Sequence, residues 1–163
     1  MRYTAIALDY DGTIAHDGLV PAHVVDGLTR LRATGRKLLL VTGRELDELL
    51  GIFPEIGIFD RVVAENGALM YVPATGGPRE LGDPPPREFD ECLRAPGIPL
   101  AVGHTIVPTI RPHETTVLEA IANLGLEQQV IFNKGAVMVL PAGVNKASGL
   151  ARALERMGLS AHN

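Results

Sequence analysis

Two aspartates, Asp9 and Asp11, follow the apolar run Ile6, Ala7, Leu8 in the stretch LDYDGTIAHDG at residues 8–18. A charge resists leaving water, so carboxylates set against a buried-looking strand need a compensating partner. In an extended segment residues two apart face the same way, which lets both carboxylates reach one point at the carboxyl end of the strand. Two like charges about 4 Å apart repel by roughly 4 kcal/mol at an effective dielectric near 20, so the pair requires a metal ion, a lysine or a shared proton. Gly12 and Thr13 add a tight turn and a hydroxyl, and His16–Gly18 reads as a second small turn.

Thr42 and Gly43 end a later apolar run, KLLLVTGR. A hydroxyl beside approachable backbone amides at a helix start suits phosphate oxygens. Lys146, in GVNKASGL, stands where the last helix begins and offers the compensating positive charge. Each feature alone has a plain structural explanation: a polar turn, a helix cap, a solvated lysine. Their joint occurrence in this order points instead to phosphate and metal chemistry. His16, His23, His104 and His113 lack ligand spacing, and Cys92 reads as a small buried or half-buried residue.

The elements that must position these residues follow from periodicity. Residues 3–8 read as a strand buried on both faces, and residues 22–34 place Val24, Val25, Leu28 and Leu31 on one helical face, opened by Pro21 and closed by Gly35. A strand over 37–44, a helix over ELDELLGIF and a strand over 61–69 follow. Strand, helix, strand, helix, strand is the pattern of a parallel α/β sheet with crossover connections, and such sheets bind ligands at the carboxyl ends of their strands.

Composition changes after Tyr71. The segment VPATGGPRELGDPPP predicts irregular chain; beyond it come a helix near 87–95, a strand near 100–110, a helix from Pro112 to Leu124, and strands QQVIFN and AVMVL joined around Lys134 and Gly135. This predicts a core of residues 1–71 and 143–163 carrying an inserted α+β unit of residues 72–142. The last helix bears an apolar stripe of Leu150, Ala153, Leu154 and Met157 and stops at Gly158.

LDYDGTIA, LLLVTGR and GVNKASGL, in that order and spacing, resemble the first three motifs of the haloacid dehalogenase-like phosphatases. AENGAL at 64–69, followed by an α+β insert before the lysine, resembles the branch of sucrose phosphatase and archaeal phosphoglycolate phosphatase. The resemblance implies an α/β fold with a Rossmann-like parallel-sheet core and an α+β cap. It implies a Mg²⁺-dependent phosphomonoesterase acting on a small phosphorylated substrate through an aspartyl phosphate. Asp9 would be the nucleophile and a metal ligand. Asp11 would be the general acid and base and bind the metal through its carbonyl. Thr42, Gly43 and Lys146 would hold the phosphoryl group, with Arg44 and Asn66 on the substrate side. The family's fourth motif, an acidic GDxxND loop, does not occur before Asn163. The expectation is therefore a truncated core, incomplete at its C-terminus, with weak or no activity and an exposed edge at the first strand that favours a homodimer. The alternative is a non-catalytic phosphate-binding or interaction module. A receiver-type phospho-acceptor fits less well, since LDYDGT is not an adjacent acidic pair, and no GxGxxG follows the first strand.

Bulk properties exclude other classes. With 15 basic and 19 acidic residues, a net charge of -4 and no basic run, the chain has no footprint for nucleic acid. One cysteine allows no internal disulfide, and no apolar stretch reaches the roughly 20 residues of a membrane span. The expectation is a cytoplasmic protein with an aliphatic core, since aromatic residues make up only 4% and tryptophan is absent.

Overall fold

The computed structural model describes residues 3–101, 103–133 and 135–162. These form two compact units, one of Met1–Leu81 with Asn145–Asn163 and one of Gly82–Val144.

The first unit is built on a five-stranded mixed sheet of order β1-β2-β3-β4-β5. Strands β1 (Ala5–Asp9), β2 (Lys37–Val41) and β3 (Arg61–Ala64) run parallel; β4 (Leu69–Val72) and β5 (Gly77–Glu80) continue antiparallel. The interior strand β2 carries an unbroken apolar run because both faces are covered. Alternate side chains go to opposite sides. Leu38, Leu40, Val62 and Ala64 pack with Leu28 of α1 (Ala22–Ala33), Leu46 and Leu49 of α2 (Leu46–Ile52), and Tyr10, Phe53 and Phe59. Leu39, Val41, Val63 and Met70 pack with Ala153 and Leu154 of α5 (Lys146–Arg156). Truncating a fully buried leucine such as Leu39 to alanine would cost about 2–5 kcal/mol.

Three expectations for this unit need correction. β1 is an edge strand paired only with β2 among the described strands, so its residues are half-buried, with Ala7 exposed, rather than covered on both faces. The strand expected over 61–69 breaks after Ala64, where Glu65–Gly67 make a left-handed turn and reverse the chain into β4. The segment after Tyr71 is not wholly irregular: β5, GPRE, pairs along β4 although all four of its residues are exposed. Backbone pairing carries that strand, and it keeps residues up to Leu81 in the first unit.

The second unit holds α3 (Arg87–Arg94), α4 (Glu114–Asn123) and an antiparallel sheet of β6 (Val107–Ile110), β7 (Gln128–Asn133) and β8 (Ala136–Pro141) in the order β6-β8-β7. Phe89, Leu93, Val117 and Ala120 of the helices bury Val107, Val137 and Val139 of the sheet. The strand expected near 100–110 is shorter, because the chain folds on itself there: the amides of Ala101 and Gly103 donate to the carbonyls of Pro108 and Ile106. β7 and β8 pair antiparallel as a hairpin would require; Lys134, at its expected turn, lies outside the described residues. Cys92, on α3, is exposed rather than buried. Among the described residues no helix is long and apolar enough to cross a membrane.

Candidate active site

Asp9 is the last residue of β1 and lies in register with Val41, the last of β2, so Thr42 and Gly43 follow at the same end of the sheet. Lys146 is the first residue of α5. Its position is fixed by a reciprocal cap in which the Asn145 side chain accepts from the Ser148 amide at 2.9 Å and Ser148 Oγ accepts from the Asn145 amide at 2.9 Å. From there Lys146 Nζ donates to Asp9 Oδ1 at 2.8 Å, joining residues 137 positions apart. The pair borders a cleft of about 270 Å³ lined also by Ala7, Leu8, Val41, Ala147 and Leu150. Both side chains are about two-fifths exposed, so a ligand can reach them.

Asp11 is placed differently from its sequence expectation. β1 ends at Asp9, and Asp11 sits in a tight turn where Gly12 is left-handed and the Tyr10 carbonyl accepts from the amides of Thr13, Ile14 and Ala15. Arg44 takes Asp11, donating from Nε at 2.9 Å to Oδ2 and from Nη2 at 2.7 Å to Oδ1. This two-pronged geometry suits the planar guanidinium. Arg44 also donates to Glu48 one helical turn on, and its guanidinium lies 5.2 Å from the centre of the Tyr10 ring. Tyr10 is fully buried and its hydroxyl donates to the Gly18 carbonyl at 3.0 Å, which ties down the His16–Leu19 hairpin. Hydrogen bonding to Asp11 raises the pKa of Arg44, and burial raises that of Tyr10.

Thr42 is fully buried. Its hydroxyl oxygen accepts from the Arg44 amide at 3.1 Å, a local turn rather than a helix cap, because α2 begins later and Glu45, at its N-cap, makes no side-chain cap. Accepting that bond leaves the Thr42 hydroxyl hydrogen to be directed at another oxygen. The Asn66 side chain lies against Gly43: a Cβ added to Gly43 would stand 2.9 Å from Asn66 Oδ1. At the N-cap of α2, burial and then the neighbouring Glu65 raise the pKa of Glu45.

Asp9 and Lys146 are thus brought into contact, as are Asp11 and Arg44, and Thr42 and Gly43 stand beside them at the same sheet end. Tyr10 and Glu48 were not foreseen. Glu48 stands four residues after Arg44, a spacing that signals an ion pair on a helix, whereas nothing in the sequence signals that Tyr10 lies under the guanidinium; Asn145 and Ser148, three apart before an apolar stripe, carry a readable capping signal.

Magnesium prefers oxygen donors, needs one or two carboxylates and retains water for the rest of its shell. The Asp9 carboxylate and the Asp11 main-chain carbonyl are donors of that class. Among the described residues no group of three or more His, Cys, Asp or Glu could hold a metal ion, so a bound Mg²⁺ would keep much of its water.

A family profile for haloacid dehalogenase-like hydrolases matches residues 6–76. A phosphoglycolate phosphatase of Pyrobaculum neutrophilum is 27% identical over 173 residues, covering 98% of this chain and 72% of that protein. Another phosphoglycolate phosphatase, from Natronomonas pharaonis, is 30% identical over 166 residues, covering 94% of this chain and 71% of that protein. A haloacid dehalogenase-like hydrolase from Bacteroides thetaiotaomicron has a similar fold, with a TM-score of 0.76 at 15% identity over 96% of this chain and 78% of that one. On the sequence identity spread over both lengths, together with the matching fold, the chain belongs to the haloacid dehalogenase-like phosphatases.

Proposed function

We propose that this chain hydrolyses a small phosphate monoester, with Asp9 as nucleophile. The observation that carries the reading is the 2.8 Å contact between Lys146 and Asp9 at the carboxyl end of a parallel strand. Lys146 occupies Oδ1 and fixes the plane of the carboxylate, which leaves Oδ2 to attack phosphorus. The bond from phosphorus to the ester oxygen breaks, Asp11 gives that oxygen a proton, and the phosphoryl group rests on Asp9. Water then attacks phosphorus and yields its proton to Asp11, the bond to Asp9 breaks, and inorganic phosphate leaves. Asp11 accepting two guanidinium bonds from Arg44 suits the second half, in which it must be ionised. The Thr42 hydroxyl, the amide of Gly43 and Lys146 hold the phosphoryl oxygens as charge gathers on them.

Asp9 and the Asp11 carbonyl would hold Mg²⁺, which when bound supplies positive charge that screens the phosphoryl oxygens from Asp9. The second unit, Gly82–Val144, serves as the cap that selects the substrate, with Arg44 and Asn66 on the core's substrate side. Two curated relatives are phosphoglycolate phosphatases, which makes a small phosphorylated acid the first compound to try.

The test is magnesium-dependent release of phosphate from phosphoglycolate and an aryl phosphate. Turnover that vanishes in Asp9→Asn and with a chelator supports the reading. Phosphate binding that needs Lys146 but is never accompanied by ester hydrolysis would make the chain a phosphate-binding module instead.

A further inference from the structure

Between β3 and β4 three consecutive residues are left-handed, with φ of 51° at Glu65, 54° at Asn66 and 101° at Gly67. A side chain rarely adopts this conformation, and two such residues in succession persist only where surrounding contacts impose them. The connection itself does not demand it. Ala64 pairs with Leu69, and a four-residue hairpin loop is ordinarily built around a right-handed turn.

The imposing contacts reach in two directions. Towards β2, the Asn66 amide donates to the Thr42 carbonyl at 3.1 Å and the Glu65 amide to the Arg44 carbonyl at 3.0 Å, so both neighbours of Gly43 are tied to the turn. The Asn66 side-chain amide lies against Gly43, so that a Cβ there would stand 2.9 Å from Asn66 Oδ1 and displace it. Towards α5, a Cβ on Gly67 would lie 2.0 Å from the Asn145 carbonyl oxygen, and one on Gly149 would lie 2.6 Å from Gly67 Cα. No side chain intervenes between the turn and the helix end that bears Lys146.

We infer that the Glu65–Asn66–Gly67 turn is a positioning element that sets the separation between the Thr42–Gly43 loop and Lys146, with Asn66 as its positioning residue at Gly43. The inference rests on the proposed phosphate site. The turn works as a backbone spacer: it is stiff because its residues are held in a rarely occupied conformation, and it is in direct contact at both ends. The Asn66 amide group fixes the Gly43 peptide, so that its N–H keeps one direction before any ligand arrives.

Asn66→Gly separates this role from mere folding, because glycine adopts a left-handed conformation freely. The expected result is an unchanged or higher Tm with about tenfold weaker binding of inorganic phosphate by calorimetry in the presence of magnesium. With an aryl phosphate, KM rises by a similar factor and kcat changes less. Gly149→Ala, which pushes the helix end off the turn, weakens phosphate binding in the same way; should it fail to fold, Asn66→Gly decides alone. Phosphate affinity and KM within twofold of the unaltered protein in Asn66→Gly would overturn the inference. Lys146→Met distinguishes the two levels. If it leaves phosphate binding intact, the phosphate site itself is misassigned; if it weakens binding and Asn66→Gly does not, the inference alone fails.

Discussion

Replacing Lys146 by methionine keeps the apolar stem against the cleft and removes only the charge. Nζ is 2.8 Å from Asp9 Oδ1, with both side chains about two-fifths exposed. At that distance the attraction is about 1.5 kcal/mol in a water-like dielectric, and exposed pairs retain only about 0.2–1 kcal/mol after the entropy of holding two side chains is counted. The Asn145–Ser148 cap, which starts α5, does not involve the ammonium group. Stability should therefore fall by no more than about 1 kcal/mol, or a Tm decrease of about 2–4 °C for a chain of this size. Removing a preorganised donor from the charge that develops in a transition state costs about 2.7–4 kcal/mol, a factor of roughly 10²–10³ in kcat. The variant should thus be folded and nearly inactive. Thermal unfolding and steady-state turnover of an aryl phosphate, measured on one preparation, compare the two terms. A Tm lower by more than about 10 °C, with turnover lost only in proportion to unfolding, would make Lys146 a structural residue and refute the reasoning.

Arg44→Ala removes the two-pronged hold on Asp11 and the contact with Tyr10. Water attack on the phosphoryl group carried by Asp9 is common to every substrate and needs Asp11 ionised, so turnover of an alkyl phosphate and of p-nitrophenyl phosphate should fall together, about 10–100-fold; a loss confined to the alkyl phosphate would place Arg44 in the protonation step instead. Burial pushes the Asp60 pKa up, but the Leu38 amide at 3.0 Å and Lys37 at 3.1 Å outweigh it and the net shift is downward. Its stabilisation is full above the ordinary aspartate pKa near 3.9 and is lost as pH falls through the lowered value. Asp60→Asn should accordingly cost about 1–2 kcal/mol at pH 7 in denaturant melts, a difference that closes in acid, with activity unchanged. Pairing of two copies along the β1 edge predicts a mass that rises with concentration in light scattering and slow amide exchange at Ala5–Asp9; a monomer at high concentration would refute it.

The elements legible in the sequence are those whose side chains do the packing. β2 and α1 carry apolar residues at a strand or helix period because each is pressed against a core, and α5 announces itself by its stripe and its cap. β5 left no such trace, since GPRE faces water on all four residues and is held by backbone pairing alone. The break in the apolar run 61–69 was marked by Asn66–Gly67 but masked by the valines and leucine on either side. At the site, Asp9, Thr42 and Lys146 were readable as types in an order. The partition of two carboxylates between Lys146 and Arg44 was not, because it depends on Asp11 leaving the strand direction and on a contact between residues 33 apart.

With no tryptophan and three tyrosines, the chain's ultraviolet emission is tyrosine emission. Tyr3 is largely exposed and Tyr71 half-buried, whereas Tyr10 is sealed, with its ring under the Arg44 guanidinium and its hydroxyl on Gly18. The protein thus contains a native optical probe one residue from each of the paired aspartates. In a Tyr3→Phe, Tyr71→Phe background the remaining fluorescence comes from Tyr10 alone, so ligand-driven movement of Arg44 could be followed in real time without a label.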